Sequence, residues 1–172
     1  MRGLILSLLV LALAVPAAAF EIDGATVTLI SPTSVAPGGT YTMLFTVQNA
    51  SSDAEWIVDI HISFPGGVLD QSSMGHELIA TGRPSFAMTV DPTVPKAMWD
   101  DNDGGYGEIY STEACDVWVD WTAPAVFPGT QIFWELWGDV YGAEPHYVNG
   151  YIDLAVTAVD QATWSSIKAM YR

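Results

Sequence analysis

Basic side chains are scarce in this sequence. Among its 172 residues, 5 are Lys or Arg and 20 are Asp or Glu, so the formal net charge at pH 7 is -15. A chain with so little positive charge has no basic surface with which to neutralise phosphates. Nucleic acids and anionic membranes are therefore poor partners, and the acidic surface is typical of a soluble exported protein.

Cysteine is nearly absent as well. Cys115 is the only one, so no disulfide can form within the chain. It alternates in step with Val117 and Val119, which predicts that it points inward as an unreactive thiol. Stability must then come from a hydrophobic core, and a domain of about 150 residues buries roughly 70% of its unfolded surface.

Long apolar runs are missing after residue 19. Before that point, Met1-Arg2-Gly3 precedes an uncharged stretch from Leu4 to Val15, which ends in Pro16-Ala17-Ala18-Ala19. A positive start, a short apolar stretch and an Ala-x-Ala end predict a secretory signal peptide over residues 1–19. The stretch is shorter than the roughly 20 residues that span a bilayer. We expect no transmembrane segment after cleavage, and an extracellular, cell-surface or periplasmic location.

Short runs of alternating apolar and polar residues, separated by Pro, Gly, Asn and Asp, extend from residue 24 to residue 157. Alternation with a period of two is typical of half-buried β-strands. About eight runs predict an all-β domain over residues 20–160, built as a two-sheet antiparallel β-sandwich. The runs are 25–30, 41–47, 56–64, 86–90, 108–110, 115–122, 131–137 and 151–157. The residues predicted to lie in the core are Trp56, Val117, Val119, Trp121, Ile132, Trp134 and Leu136.

One segment resembles a known class of module. The turn Pro37-Gly38-Gly39, the strand that follows it and the exit Val47-Gln48-Asn49 are similar to bacterial immunoglobulin-like adhesion and spacer domains of the CARDB and NEW3 type. The resemblance covers residues 25–64. It implies an immunoglobulin-like β-sandwich. If the protein is an interaction module, its loops or tail are expected to contact a surface protein.

The period changes after Thr157. Thr163 can cap a short helix in which Trp164 and Ile167 share one face, and Lys168 and Arg172 lie near its C-terminal end. The pattern predicts a short amphipathic C-terminal helix over residues 161–172. Docking of this helix on the sandwich and a role as an export or attachment signal both remain open.

Carboxylates cluster in the segment from Trp99 to Glu108, which also contains three glycines. Calcium binds six to eight oxygen ligands in flexible geometry, so such a loop is a candidate calcium site. The spacing does not follow the helix-loop-helix calcium pattern, because Ser111 stands where that pattern has Glu. The alternative is a solvated acidic loop. The candidate ligands are Asp100, Asp101, Asp103 and Glu108.

Aromatic residues are numerous, with seven Trp and seven Tyr. Rings in loops or on the outer strand faces can stack on the apolar faces of sugars, while nearby Asp and Asn bind the hydroxyl groups. The alternative is that rings such as Trp118 and Trp137 pack in a second layer. Tyr110 and Tyr147 share these surroundings, and the candidate glycan-binding residues are Trp99, Tyr106, Trp118, Trp137 and Tyr141.

Motifs of catalysis are missing. The sequence has no Gly-x-Ser-x-Gly elbow, phosphate loop or dinucleotide fingerprint, and His61 beside Asp59 is typical of a solvated pair. The sequence therefore favours a secreted non-catalytic structural or interaction module without a cofactor. The alternative is a carbohydrate-binding β-sandwich, stabilised by calcium in one version. A carboxylate-based hydrolase is a remote alternative.

Overall fold

The structure is a computed structural model that describes residues 22–51, 55–78, 85–104, 107–140 and 145–157. These residues form nine β-strands. The strands are β1 (Thr26–Ser31), β2 (Thr40–Gln48), β3 (Ile57–Ser63), β4 (Val68–Leu78), β5 (Phe86–Val90), β6 (Lys96–Asp101), β7 (Ala114–Thr122), β8 (Gln131–Gly138) and β9 (Tyr147–Asp153). The predicted signal peptide and C-terminal helix lie outside the described residues. Across the described ranges, no helix is long and apolar enough to cross a membrane.

The strands form two sheets in which every neighbouring pair is antiparallel. One sheet has the order β1-β2-β7-β4, and the other has the order β5-β6-β3-β8-β9. Immunoglobulin-type sandwiches pair strands ABED in one sheet and CFG in the other. The same order appears here when the β5-β6 hairpin is treated as an insertion that extends the second sheet beside β3. The predicted immunoglobulin-like β-sandwich is confirmed.

Four strand predictions need correction. β4 and β6 do not appear among the predicted runs, and residues 108–110 contribute only an isolated bridge between Ile57 and Ile109. The alternation of β4 is broken by a register shift between Asp70 and Gly75, while the acidic end of β6 has the composition of a loop. β9 also begins four residues earlier than the predicted run.

The core lies between the two sheets and follows from the alternation of their strands. Fully buried residues include Phe45 from β2, Ile60 from β3 and Val119 from β7. Each such side chain contributes about 1.5–3 kcal/mol through burial. Cys115 is also fully buried, and burial raises its pKa to about 12, so its inward, protonated thiol is confirmed. Trp56 departs from the core prediction because it is only half-buried, stacked on Tyr110 with ring centroids 3.8 Å apart.

Candidate functional site

Two pairs of aromatic rings occupy the outer face of the five-stranded sheet. Phe133 faces Tyr151 across β8 and β9, with ring centroids 5.0 Å apart. Trp137 faces Tyr147 at the other end of the same strands, with centroids 5.2 Å apart. Tyr151 is 64% exposed and Tyr147 is 37% exposed. The two pairs are four residues apart along β8, about 13 Å at the usual strand rise. We call these four residues the aromatic strip.

Strand alternation places these rings outside. In β8, Ile132, Trp134 and Leu136 point into the core, so the residues between them point outward. Gly150 in β9 faces Trp134 across the strand pair, and a Cβ there would lie 2.5 Å from the indole ring. The glycine leaves room for the core tryptophan and lets β9 lie flat against β8.

A polar row lies between the two aromatic pairs. Glu135 is paired with His61 on one side and with Asn149 on the other. The Tyr147 hydroxyl donates to Glu135 Oε1 at 3.0 Å, and Lys96 Nζ donates to Glu135 Oε2 at 3.2 Å. Burial and the hydrogen bond to Glu135 raise the pKa of Tyr147, so the phenol stays protonated at neutral pH. The carboxylate is therefore fixed between two donors.

The edge of this face next to β6 combines an imidazole with carboxylates. His61 Nε2 lies 2.7 Å from Asp100 Oδ1, and the His61 ring packs on Trp137 with centroids 4.3 Å apart. Asp59 accepts a hydrogen bond from the Asp101 backbone N–H at 3.0 Å. Burial raises the pKa of Asp59 above its usual range, and the charges of Asp100 and Asp101 act in the same direction. The partner of His61 is therefore Asp100 rather than the predicted Asp59.

The start of β9 is held by a buried hydrogen bond between two titratable side chains. Glu55 is fully buried, and its Oε1 lies 2.7 Å from His146 Nδ1. A Cβ at Gly138 would collide with the Glu55 carboxylate, so glycine is required at the end of β8. Because Tyr147 directly follows His146, this pair positions the end of the aromatic strip that Trp137 and Tyr147 form.

Three of the four predicted calcium ligands come together. One carboxylate oxygen from each of Asp101, Asp103 and Glu108 lies within 4.8 Å of the others. Asp101 Oδ1 accepts the backbone N–H groups of Asp103 and Gly104, which fixes the loop, and buried Glu108 accepts the N–H of Ser85 at 2.9 Å. Asp100 does not join them, because strand alternation turns it to the outer face beside His61.

The predicted glycan-binding residues separate widely. Trp99 is fully buried and donates Nε1–H to Gly75 O at 3.1 Å, so its prediction as a surface ring is wrong. Its inward direction follows from β6, in which Ala97 and Trp99 share the buried face. Trp118 lies half-buried on the outer face of the other sheet. Trp137 belongs to the aromatic strip, and Tyr106 and Tyr141 lie outside the described residues.

The sequence prediction missed two members of the aromatic strip. Phe133 and Tyr151 were not proposed as binding residues, although Phe133 alternates with core positions in the same run as Trp137. That alternation was the available signal. What the sequence did not show was the register of β8 against β9, which sets Phe133 opposite Tyr151.

Comparisons with known proteins find solved structures that share little sequence with this chain. No protein-family model matches the chain, and no curated protein matches it. An immunoglobulin-like protein of Nocardia farcinica is 15% identical, with a TM-score of 0.48, and the match covers 80% of this chain and 99% of that one. The collagen-binding domain of a Staphylococcus aureus adhesin is 15% identical over 75% and 96% of the two chains, with a TM-score of 0.42. A cohesin module of a Clostridium perfringens glycoside hydrolase is 10% identical over 77% and 98%, with a TM-score of 0.39. The fold assignment itself rests on the strand order described above.

Proposed function

We propose that this protein is an exported, non-catalytic binding module whose working surface is the outer face of the five-stranded sheet. The single observation that carries the proposal is the aromatic strip, which exposes Tyr147 and Tyr151 beside a fixed polar row. Export through residues 1–19 belongs to the same proposal, as does the finer likeness to CARDB and NEW3 adhesion or spacer modules.

Rings held on strands favour recognition of a partner. A β-sheet fixes the spacing and direction of its side chains, and sites on rigid elements are more accurately shaped than sites on loops. Aromatic residues also contribute large contact areas at low entropic cost, and they are enriched among the residues that dominate binding energy. The aromatic strip combines both properties.

The polar groups on this face support a binding role rather than a hydrolytic one. Glu135 accepts hydrogen bonds from Lys96 and Tyr147, and Asp100 is bonded to His61. A carboxylate hydrolase needs two carboxyl groups facing each other across the bond to be cleaved. Carboxylates that are already engaged by neighbours on a flat face are better suited to fixing an orientation.

A binding panel tests this proposal. We would incubate residues 20–172 with immobilised surface proteins, proline-rich peptides and insoluble polysaccharides, and compare it with the double variant Phe133→Ala/Tyr151→Ala. We expect at least one class to bind and the double variant to lose that binding while keeping its β circular-dichroism spectrum. The control is Val126→Ser, which alters an 81% exposed residue in the β7-β8 loop. Binding that survives in the double variant, or no binding at all, would contradict the proposal.

A second candidate property is calcium binding by Asp101, Asp103 and Glu108. Three converging carboxylates favour it, because they supply hard oxygen ligands on a loop that backbone hydrogen bonds already shape. Backbone carbonyls or water would complete the six to eight ligands that calcium takes. The ion would stabilise the loop that joins β6 to β7 without taking part in a reaction.

A thermal melt in chelator and then in millimolar calcium tests the ion site. At a hundred times the dissociation constant, a ligand of the folded state adds about 2.7 kcal/mol, which raises the melting temperature by several degrees. We expect the rise with calcium and not with magnesium, and we expect Asp103→Ala to abolish it. An equal response in the variant would disprove the site.

A further inference from the structure

We infer that the aromatic strip and its polar row bind a neutral polysaccharide chain that lies along β8 and β9. This inference rests on the proposed function, because it names the partner class of the same surface. The observations that carry it are the spacing of the two ring pairs, the polar row between them and the charge of the surrounding face.

The spacing of the rings calls for a chain rather than a single sugar. The Phe133-Tyr151 pair and the Trp137-Tyr147 pair are four strand positions apart, about 13 Å. Aromatic faces stack on the apolar faces of pyranose rings. A single sugar can contact one pair only, whereas an oligosaccharide can contact both pairs at once. Affinity should therefore increase with chain length until both pairs are covered.

The polar row supplies partners for the hydroxyl groups between the two stacking points. Glu135 and Asn149 occupy the central row of β8 and β9, about 7 Å from each aromatic pair. An ionised carboxylate accepts stronger hydrogen bonds than a neutral group, and an amide can both donate and accept. This alternation of apolar and polar positions matches a sugar chain, which presents ring faces and hydroxyl edges together.

The charge of the face selects against anionic chains. Its described carboxylates are Asp59, Asp100, Glu135 and Asp153, whereas Lys96 is the one described base of this face and is bonded to Glu135. An acidic polysaccharide would meet these like charges, and within the described ranges this face has no Lys or Arg besides Lys96 to offset them. A neutral chain meets no such repulsion.

A proline-rich peptide is the other class that stacks on exposed aromatic rings. Such peptides dock in grooves lined by aromatic residues. Here the rings stand in two cross-strand pairs on the open face of a sheet, and a row of hydrogen-bonding groups separates them. The flat, segmented surface favours the polysaccharide chain over the peptide.

The test uses the mature chain, residues 20–172, with neutral oligosaccharides of two to six units from the gluco, manno, xylo and chito series. Isothermal titration and Trp fluorescence would measure binding, with polygalacturonate as the anionic comparison and a polyproline peptide as the competing class. We expect affinity for one neutral series to rise with length and to exceed the affinity for polygalacturonate.

The variants separate stacking from folding. Tyr151→Ala should weaken binding at least about tenfold, which corresponds to about 1.4 kcal/mol. Tyr151→Phe keeps the ring and should stay within about threefold of the parent protein, because stacking does not require the hydroxyl. Val126→Ser should bind like the parent. All three variants should keep the parent melting temperature within about two degrees.

The outcomes distinguish this inference from the proposed function. Strip-dependent binding of the polyproline peptide or of a surface protein, without binding of any neutral glycan, would overturn the polysaccharide and leave the binding module in place. A preference for polygalacturonate would also overturn it. If no probe binds in a way that depends on the aromatic strip, both the polysaccharide inference and the proposed binding module are disproved.

Discussion

The outer faces of the two sheets both carry a half-buried tryptophan on a central strand, and the two rings have different cross-strand neighbours. On the four-stranded sheet, Trp118 lies against Gly75 of the neighbouring strand, where no Cβ intervenes. On the five-stranded sheet, Trp137 stands opposite Tyr147 and beside His61. Gly75 leaves room for the indole of Trp118, whereas Tyr147 places a second, 37% exposed ring beside Trp137.

The carboxylates of the two faces differ in the side chains that donate hydrogen bonds to them. On the four-stranded face, the Thr46 hydroxyl donates to Asp116 and the Thr42 hydroxyl donates to Asp120. Short threonines on β2 satisfy these carboxylates on β7. On the five-stranded face, Glu135 is satisfied by Tyr147, itself a member of the aromatic strip. The carboxylates of the first face are therefore bonded to short hydroxyl side chains, whereas Glu135 on the second face is bonded to an exposed aromatic ring.

The largest expected effect comes from removing the Glu55–His146 pair, which holds the start of β9 in the five-stranded sheet. Glu55→Ala leaves His146 without its carboxylate in a buried setting and should lower the free energy of unfolding by about 3–5 kcal/mol. It should also weaken any binding by the aromatic strip, because Tyr147 follows His146. Chemical denaturation measures the first effect.

Glu55→Gln is the matched control for that change. It retains the volume and one hydrogen-bonding oxygen, so its loss should be clearly smaller. An alanine variant as stable as the parent would show that the pair does not hold the β9 end of the sheet.

The next largest effect is expected from the packing of Trp118 on the outer face of the four-stranded sheet. A Cβ at Gly75 would overlap the indole of Trp118, and overpacking of this kind costs about 1–3 kcal/mol. Gly75→Ala should therefore destabilise the protein, even though Gly→Ala at an unstrained site usually stabilises by about 0.4–1 kcal/mol. Gly129→Ala is the matched control, since nothing lies within 4 Å of its added Cβ. Equal stability of the two variants would contradict the packing of Trp118 on Gly75.

The contact between Gly75 and Trp118 shows where prediction from the sequence stops. Alternation in β2, β3, β7 and β8 correctly predicts strands, the inward direction of Cys115 and the sandwich class, because burial on one face imposes a period of two. The residue opposite Trp118 depends on the register of β7 with β4. That register includes a shift between Asp70 and Gly75, and no local pattern records it.

The candidate site was partly predictable for the same reason. Asp101 ends β6, and Asp103 and Glu108 follow closely in the sequence, so their approach is largely local. The side to which Asp100 turns depends instead on where β6 ends. Trp137 was among the predicted rings, but the aromatic strip required the pairing of β8 with β9 across the intervening loop. Non-local register is the information that the sequence alone did not supply.

A smaller effect on stability is expected from the threonine-carboxylate hydrogen bonds on the outer face of the four-stranded sheet. Thr46 Oγ1 lies 2.6 Å from Asp116 Oδ1, and Asp116 also stands directly opposite Glu77. Thr46→Val removes the donor and leaves the two like charges without that relief, so it should cost about 1 kcal/mol. Thr46→Ser keeps the hydroxyl and should cost less. Urea denaturation measures both variants, and a Val variant at least as stable as the Ser variant would disprove the role of the hydrogen bond.

The smallest effect concerns pH, and it should have opposite signs on the two faces. Burial raises the pKa of Asp59 in the folded state, so ionisation of this carboxyl group destabilises the fold at neutral pH. This penalty decreases as pH falls through the folded pKa, and it is absent below the unfolded pKa of about 3.9. Hydrogen bonds from Ser72 lower the pKa of Asp70 in the folded state, so the ionised carboxylate stabilises the fold at pH values above its unfolded pKa. This stabilisation is lost as pH falls through the lowered folded pKa. Asp59→Asn should therefore raise the melting temperature slightly at pH 7, while Asp70→Asn should lower it. Both differences should shrink in melts at acid pH. Shifts of the same sign at pH 7 would show that the carboxylates of the two faces are not in contrasting environments.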